Sequence, residues 1–452
     1  MPLGETIMAP ATPDGESAIA MIRVSGPLCL EIIQNALGES NLPVARRATL
    51  AYYIDKREKI IDQVLYTYYP SSTSYTGEPL LEICSHGNPL IVHKLSEDLI
   101  ERGCRHASGG EFTRTAFLNG KLDLVQAEAV CDLITARNET ALDAAQRQLA
   151  GALGKKINEY TDGLLQIIAE VEAYIDFPED DLPVERSEDI QARICLLLNN
   201  FKDLIETSRY KSLLQNGIKT VILGAPNAGK SSLLNALIGE DRAIVSPVPG
   251  TTRDFITEQI MIGSCSIRIM DTAGLHDGGD EIERMGIVKT IEKIKEADFH
   301  IIVVDVAAAP PTLPDEIMKC LCKKMALILE NKIDLPKILN ENVFLPEYAR
   351  CRVSLKTREG IAEFRDQLAN IFQSNFVKTT ADGLIVSARH ASALKLAVES
   401  LISAGSVLRN REPAEILASE LRQVLRALQE IVGDVDNEII LDKLFSTFCI
   451  GK

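Results

Sequence analysis

The sequence has 452 residues, which is too long for one ordinary hydrophobic core and predicts about two to four domains. Its hydrophobic fraction of 46% and charged fraction of 25% are typical of a soluble globular protein. The net charge of −16 argues against a protein that grips nucleic acid through its own basic surface. A nucleic-acid substrate would need a local basic patch or a basic partner.

Cysteine usage and hydropathy exclude several other classes. Ten cysteines are scattered along the chain, and the closest pair, Cys320 and Cys322, does not form a CxxC motif. Neither a disulfide scaffold nor a zinc site is therefore predicted. The start MPLGETIMAP lacks the basic segment and the long apolar stretch of a secretory signal. Scattered cysteines of this kind are typical of reduced thiols, so we expect a cytoplasmic protein. Because no run of eighteen apolar residues occurs, no membrane span is expected.

The pattern of apolar residues changes three times along the chain. Residues 1–120 are predicted to be mixed α/β, with strands in AIAMIRVSG and QVLYTYYP. Residues 121–215 carry apolar side chains at helical spacing and are predicted to form long amphipathic helices. Strands and helices alternate over 216–376, and residues 377–452 are helical again. The simplest organisation is an α/β domain inserted into a helical domain that is built from the two flanking segments.

A phosphate-binding loop opens the inserted domain. GAPNAGKS, from Gly224 to Ser231, fits GxxxxGK[ST] and lies between the strand TVIL and the helix SLLNALIG. Its backbone N–H groups would face phosphates at a helix N-terminus. Lys230 should reach the β- and γ-phosphates, and Ser231 should bind Mg²⁺.

Two further motifs follow in the order expected of a GTP-binding domain. DTAG begins at Asp271, whose carboxylate can hold Mg²⁺ through water, while the Gly274 N–H can meet the γ-phosphate. NKID begins at Asn331, and the carboxylate of Asp334 can accept both the N1 and N2 protons of guanine, a pair that adenine lacks. The three residues SLK from Ser354 complete the predicted base site. The nucleotide is therefore predicted to be GTP.

VPGTTRD at 248–254 lies between these motifs, where a switch loop is expected. Thr252 is predicted to complete the Mg²⁺ shell, and the Thr251 backbone to face a neighbouring cation. Asn227, inside the phosphate loop, could bind a monovalent cation that adds positive charge beside the phosphates.

The residue that orients the attacking water is not evident from the motifs alone. Leu275 follows the DTAG glycine, where many small GTPases have glutamine. The stretch GGDEIERMG offers Asp280, Glu281 and Glu283, and a solvated helix start is the alternative interpretation of these carboxylates.

The full set of motifs resembles the MnmE family, also called TrmE, of bacterial tRNA modification GTPases. The resemblance covers the whole chain and rests on ATPDGESAIAMIRVSG, SYTGEPLLE, GEFTRTAFLNGKLDLVQAEAV, VPGTTRD and the terminal FCIGK, besides the GTPase motifs. It implies a folate-binding N-terminal domain that dimerises, a discontinuous helical domain and a Ras-like P-loop G domain. It also implies K⁺-dependent pairing of G domains, and modification of the wobble uridine of certain tRNAs at carbon 5. The implied partner is a flavoprotein, MnmG, in a heterotetramer, with a reduced folate (5-formyl- or 5,10-methylene-tetrahydrofolate) as the one-carbon source.

The resemblance also assigns roles to individual residues. Glu283 matches the family's water-positioning glutamate, and Ser231 and Thr252 match the Mg²⁺ ligands. The K⁺ ligands correspond to Asn227, Ser246, Val248 and Thr251. The folate contacts correspond to Arg23, Glu82, Lys121 and Lys452. With the motifs above, the predicted GTP site comprises Asn227, Ala228, Gly229, Lys230, Ser231, Ser232, Ser246, Thr251, Thr252, Asp271, Thr272, Ala273, Gly274, Asn331, Lys332, Asp334, Ser354, Leu355 and Lys356.

The C-terminal CIGK has three interpretations. In the family it lies at the folate site, which makes Cys449 a candidate nucleophile or one-carbon carrier. A prenylation box fits poorly because Gly451 is not aliphatic and Lys452 is an atypical final residue, and a frayed chain end is the third interpretation. For the whole chain, the alternative function is a GTP-dependent switch in ribosome assembly, of the Era or Der type. No second GxxxxGK[ST] and no KH-type GxxG supports that alternative.

Overall fold

The structure is a computed structural model that divides into two compact units, each described separately below. It describes residues 4–136, 138–176, 184–238, 259–263, 265–270, 291–309, 311, 315–321, 325–339, 344–376, 383–433, 438–445, 448 and 451. The first unit comprises Met1–Cys131, Gln148–Gly163 and Leu425–Lys452, and the second comprises Asp132–Arg147 and Leu164–Val424. The four predicted segments, 1–120, 121–215, 216–376 and 377–452, stay predictions as domain limits.

A six-stranded sheet forms the centre of the first unit. Its strands are β1 (Ile7–Pro10), β2 (Ser17–Ser25), β3 (Thr49–Ile54), β4 (Ile60–Tyr69), β5 (Leu80–Gly87) and β6 (Arg105–His106). They lie in the order β3-β4-β5-β2-β1-β6, with β1 and β6 parallel and every other pair antiparallel. Side chains alternate between the two faces of such strands, so each strand contributes to both faces.

One face of this sheet is covered by helices α1 (Cys29–Ala36) and α2 (Pro89–Glu101). Asn88 accepts a hydrogen bond from the Leu90 N–H and caps the start of α2, where Pro89 lacks the N–H that a helix start leaves unpaired. The buried core beneath these helices includes the following residues: Ile22, Val24, Ile32, Ile33, Tyr53, Tyr66, Leu81, Ile83, Leu95 and Leu99.

The opposite face of β3 and β4 carries exposed apolar side chains. Leu50 and Leu65 are directly paired across these strands, and they are 61% and 47% exposed. Tyr52, two residues along β3, is 54% exposed. This apolar sheet face, Leu50, Tyr52 and Leu65, has no covering element among the described residues.

The remaining part of the first unit is helical. It holds α3 (Glu111–Leu118) and α13 (Glu438–Phe445), while α4 (Leu124–Thr135), α6 (Ala152–Asp176) and α12 (Ala414–Val432) begin or end in it. A small core joins these segments and consists of Leu124, Ala127, Leu441, Phe445 and Phe448, with Phe117, Cys131 and Leu444 packed against it. The chain after α13 therefore contributes Phe448 to a hydrophobic core.

The second unit contains a mostly parallel sheet. Its strands are β7 (Ile218–Gly224), β8 (Gln259–Ile262), β9 (Cys265–Met270), β10 (Phe299–Asp305), β11 (Ala326–Asn331) and β12 (Ala349–Arg352). The order is β12-β11-β10-β7-β9-β8, and only β8, at the edge, runs antiparallel to its neighbour. The helices α8 (Lys230–Ile238), α9 (Asp315–Cys320) and α10 (Ile361–Phe376) belong to the same region. In such a fold, ligands bind at the carboxyl ends of the parallel strands.

Long helices complete the second unit: α5 (Glu139–Leu149, in part), α7 (Val184–Asn216) and α11 (Ala388–Asn410). By length and composition α11 could cross a membrane, but half of its most apolar stretch is buried, and it packs along α7. A core helix of a soluble protein has the same properties. The predicted fold class, mixed α/β together with a helical part and a P-loop α/β domain, is confirmed.

Candidate functional site

The phosphate loop connects β7 to α8. Asn227 and Gly229 adopt left-handed backbone conformations, with φ of 61° and 112°. A side chain at Gly224 would collide with the carbonyl oxygen of Val303 on the neighbouring strand β10. The sequence therefore needs glycine at 224 for close strand packing, and at 229 for the turn into α8.

Lys230, the first residue of α8, folds back over the loop. Its ammonium group donates hydrogen bonds to the carbonyl oxygens of Gly224, at 2.8 Å, and Ala225, at 2.9 Å. Partial burial lowers the pKa of this lysine. Ser231 and Ser232 follow in the first turn of α8, and both are exposed. The hydroxyl of Ser231 is the kind of oxygen ligand that Mg²⁺ prefers, so the residues present fit this ion.

Asn331 links the phosphate loop to the predicted base loops. Its amide nitrogen donates to the carbonyl oxygen of Ala228 at 2.8 Å, and its amide oxygen accepts from the Leu355 N–H at 3.1 Å. Asn331 is only 3% exposed. A side chain at Gly229 would collide with this amide. The phosphate loop, NKID and the loop that carries SLK are therefore held together by one buried side chain.

Asp334 and Ser354 form the second link between the base loops. The Ser354 hydroxyl donates to the Asp334 carboxylate at 2.7 Å and accepts from the Thr357 N–H at 3.2 Å. The Ser354 hydrogen bond holds the pKa of Asp334 below its usual range. The carboxylate is exposed and ionised at neutral pH, as recognition of two guanine N–H donors requires. Lys356 is exposed in the same loop.

Replacing Asp334 with asparagine should erode guanine selectivity. The amide would keep one acceptor but present an N–H donor where guanine also has a donor. We expect the preference for GDP over IDP, which lacks the 2-amino group, to fall about tenfold or more, since unpaired buried polar groups are what penalise the wrong ligand. Competition titrations with the two nucleotides measure this ratio, and equal ratios for variant and parent would remove Asp334 from base recognition.

Several predicted site residues lie outside the described residues, and their roles stay predictions. They are Ser246, Val248, Thr251, Thr252, Asp271, Thr272, Ala273, Gly274, Glu283, Cys449 and Lys452. Within the described ranges, no cluster of three or more His, Cys, Asp or Glu side chains could hold a metal.

A second cluster of predicted residues lies in the first unit. Arg23 on β2 and Glu82 on β5 are opposite each other in the sheet and form an ion pair at 2.8 Å. The hydroxyl of Tyr69 donates to the other oxygen of Glu82 at 3.2 Å. The guanidinium of Arg23 also lies 6.0 Å from the ring centre of Tyr75 and 5.9 Å from that of Phe112.

The predicted cation Lys121 is tied to the loop that carries Tyr75. Its ammonium group donates to the Ser72 carbonyl at 3.0 Å. Lys121 is exposed, as a residue that meets an anionic ligand must be. The structure thus brings Arg23 and Glu82 into direct contact, and links Lys121 to them only through the β4–β5 loop.

The C-terminal segment reaches this cluster. Arg23 donates through its second terminal nitrogen to the Gly451 carbonyl at 3.3 Å. Gly451 has φ of 93°, and a side chain there would come within 3.2 Å of the Ala11 backbone. Phe448 is 7% exposed and packs on Phe445, with ring centres 5.3 Å apart. The described part of the tail is therefore docked, and the frayed-end interpretation does not apply to Phe448 and Gly451.

Two adjacent glycines receive the tail. A Cβ at Gly109 would lie 2.7 Å from the Phe448 carbonyl oxygen, and one at Gly110 would lie 2.9 Å from the Phe445 carbonyl oxygen. Gly110 is also the N-cap of α3, with φ of 68°. Glu111, the next residue, is held by the Arg105 guanidinium at 2.7 Å and by the Ser108 N–H at 2.7 Å. We call Gly109 and Gly110 the glycine seat.

Sequence reasoning missed the glycine seat, Tyr69, Tyr75 and Phe112. The Gly-Gly pair before a helix start was visible in SGGEFTR, but it is a common signal for a turn. In the sequence the three aromatic residues have the pattern of ordinary core side chains. Only their contacts with Arg23 or Glu82 in the structure distinguish them.

Two known families match successive segments of the chain. The family described as GTP-binding protein TrmE N-terminus matches residues 6–121, and the MnmE helical domain family matches residues 124–449. A tRNA modification GTPase MnmE from Opitutus terrae is 46% identical and covers 100% of both chains. Proteins of the same name from Akkermansia muciniphila and Aquifex aeolicus are 41% and 37% identical, over 99% of this chain and 99% and 100% of theirs.

The phosphate loop, the linked base loops and the parallel sheet define a P-loop GTP hydrolase. With these matches, the chain belongs to the MnmE, or TrmE, family of tRNA modification GTPases. The family predicted from the sequence and the prediction of a GTP-hydrolysing enzyme are both confirmed.

Proposed function

We propose that this protein couples GTP hydrolysis to modification of the wobble uridine of certain tRNAs at carbon 5. The product carries a carboxymethylaminomethyl or aminomethyl-type group, and a reduced folate supplies the one-carbon unit. The protein acts in the cytoplasm as a homodimer, within a heterotetramer with an MnmG-type flavoprotein. Names of relatives at 46% and 41% identity support the tRNA-modifying role.

The contact of Arg23 with both Glu82 and the Gly451 carbonyl is the observation that carries this proposal. A protein that only reports its nucleotide state has no use for a C-terminal tail docked on a partly buried ion pair outside the unit that holds the nucleotide site. A folate-dependent enzyme does, because a site that bears a reactive carbon has to be enclosed.

The residues around this contact fit a reduced folate. A pterin edge offers adjacent N–H donors that the Glu82 carboxylate, oriented by its ion pair with Arg23, can accept. The predicted contacts Lys121 and Lys452 can hold the negatively charged glutamyl tail. Tyr75 and Phe112 provide aromatic surface beside Arg23. The folate would supply the one-carbon unit, and Cys449 is the proposed nucleophile or carrier at the tail.

In the nucleotide site, Ser231 and Thr252 are the proposed Mg²⁺ ligands. K⁺, held by Asn227, Ser246, Val248 and Thr251, would add positive charge where the γ-phosphate develops negative charge in the transition state. Glu283 is proposed to align the attacking water. Asn227 has a left-handed backbone, with φ of 61°, and an exposed side chain, which leaves its amide oxygen available to a second cation.

The apolar sheet face supports the homodimer. Leu50, Tyr52 and Leu65 form adjacent exposed apolar positions on two paired strands, and such clusters mark interaction surfaces. Because a net charge of −16 disfavours contact with the phosphate backbone, most contacts to tRNA are assigned to the flavoprotein partner.

Replacing Leu65 with arginine should convert the dimer to a monomer, because a charge at the centre of an apolar interface loses its hydration without gaining a partner. Light scattering coupled to gel filtration measures the mass. The matched control is Leu90→Arg, since Leu90 is 59% exposed in the first turn of α2, on the side of the sheet covered by helices. If the Leu65→Arg protein remained a dimer at the same protein concentrations as the parent, the dimer interface would not include the apolar sheet face.

Mass-spectrometric nucleoside analysis of bulk tRNA tests the proposal. The strains compared lack the gene or carry Cys449→Ser, with Cys195→Ser as the control for loss of an exposed thiol. Loss of the modified wobble uridines in the deletion and in Cys449→Ser, with normal tRNA in the control, is the expected result. Unchanged tRNA in the deletion would favour the GTP-dependent switch.

A further inference from the structure

Asp305, the last residue of β10, faces the base site and belongs to none of the nucleotide motifs. Its carboxylate lies 2.5 Å from the ammonium group of Lys332, the second residue of NKID. The two side chains are 20% and 33% exposed. Asp305 is opposite Asn331 in the paired strands β10 and β11, so the ion pair spans the carboxyl ends of both strands.

Both partners are fixed by their surroundings. The second oxygen of the Asp305 carboxylate accepts from the Ala307 N–H at 2.9 Å. The backbone after Asp305 is held by the Val306 N–H, which donates to the Asn331 carbonyl at 3.0 Å. Lys332 adopts a left-handed backbone, with φ of 69°, that non-glycine residues rarely adopt. A strained residue whose side chain is tied to a rigid strand end is typical of a functional position.

The ion pair determines where the lysine stem lies. With its ammonium group held at the end of β10, the four methylene groups of Lys332 extend from β11 toward β10, the strand next to the phosphate loop strand β7. Long basic side chains commonly lay their stems along flat apolar surfaces while the charged group stays solvated or paired. A purine ring is such a surface.

We propose that Asp305 is a positioning residue that holds the stem of Lys332 as one wall of the purine slot. It acts on the face of the base, which guanine and hypoxanthine share, whereas Asp334 acts on the edge, where the two bases differ. Asp305 therefore sets the affinity for purine nucleotides, and Asp334 sets the choice among them.

Because Asp305 and Asp334 have different proposed roles, substitutions of the two carboxylates should change nucleotide binding in different ways. Asp305→Ala should weaken binding of GDP and IDP by the same factor, about threefold to tenfold, as expected for loss of one partner of a partly buried charged pair. Asp334→Asn should change the ratio between the two nucleotides. The full-length protein is titrated with fluorescent methylanthraniloyl-GDP, and unlabelled GDP and IDP are used as competitors.

A double-mutant cycle separates positioning from a general structural effect. In a Lys332→Ala background, Asp305→Ala should have no further effect on nucleotide affinity, because the side chain that it positions is gone. Asp366→Asn, an exposed carboxylate on α10 in the same region, is the control and should leave affinity unchanged. Asp305→Glu should retain most of the affinity, since it keeps the charge.

Two results would overturn the proposal. One is an Asp305→Ala protein that binds GDP as tightly as the parent, or more tightly. The other is an equal loss of affinity in the presence and absence of the Lys332 side chain, which would make Asp305 a residue of the fold alone. Thermal unfolding of the nucleotide-free variants identifies the second case directly.

Discussion

Replacing Asn331 with alanine should weaken GTP binding about a hundredfold, the equivalent of about 2.7 kcal/mol. The substitution removes both hydrogen bonds that connect the phosphate loop to the base loops, one to the Ala228 carbonyl and one from the Leu355 N–H. Each such bond stabilises by about 1 kcal/mol, and leaving a buried partner unpaired adds about 1–3 kcal/mol. Because Asn331 is almost fully buried, water does not replace the amide.

The effect should appear mainly as faster nucleotide release. Without the link, the phosphate loop and the base loops open independently, and the ligand no longer finds both in place at once. Stopped-flow measurement of methylanthraniloyl-GDP dissociation reports this rate. Asn370→Ala is the control, since Asn370 is an exposed asparagine on α10. An Asn331 variant with the parent's dissociation rate would show that the two loops hold the nucleotide separately.

Those parts of the nucleotide site whose residues are close together along the chain could be predicted from the sequence alone. GAPNAGKS and NKID each combine their chemistry with their own local backbone, so spacing alone predicts the loop, the strand before it and the ligand. Each of these two motifs follows a strand of the mostly parallel sheet, and the structure joins them through Asn331 at the carboxyl ends of β7 and β11.

Contacts between distant parts of the chain could not be predicted in the same way. Asp305 carries no motif, and its approach to Lys332 depends on which strands are neighbours in the sheet. The pairing of Arg23 with Glu82 depends on the register of β2 and β5, because a shift by one residue would place these side chains on opposite faces. The resemblance supplied both residues as folate contacts, but not their mutual ion pair.

The glycine seat is the third such case, and it leads to the other large expected effect. Replacing Gly109 with alanine should abolish most wobble-uridine modification and leave GTP binding unchanged. The added Cβ would lie 2.7 Å from the backbone oxygen of Phe448, closer than real Cβ atoms approach, so the tail has to move. Gly109 is not among the positive-φ residues, which means that alanine itself fits the backbone. Moving Phe448 would also disturb the contact of Arg23 with the Gly451 carbonyl.

Three measurements together identify displacement of the tail as the cause. Nucleoside analysis of tRNA should show at least about a tenfold loss of modification, which corresponds to about 1.4 kcal/mol. Hydrogen exchange should rise in the peptide that follows α13, because an undocked chain end loses its protection. Fluorescent GDP should bind with the parent's affinity, since Gly109 lies outside the described nucleotide site.

Gly163→Ala is the matched control for the same substitution. Gly163 lies within α6, and an added Cβ there meets no atom within 4 Å. Alanine at that position should stabilise the helix by about 0.5–1 kcal/mol and leave tRNA modification intact. If Gly109→Ala raised exchange in the tail but tRNA stayed fully modified, docking of the tail would be unnecessary for the reaction. That result would contradict the proposed role of Cys449 at the Arg23–Glu82 site.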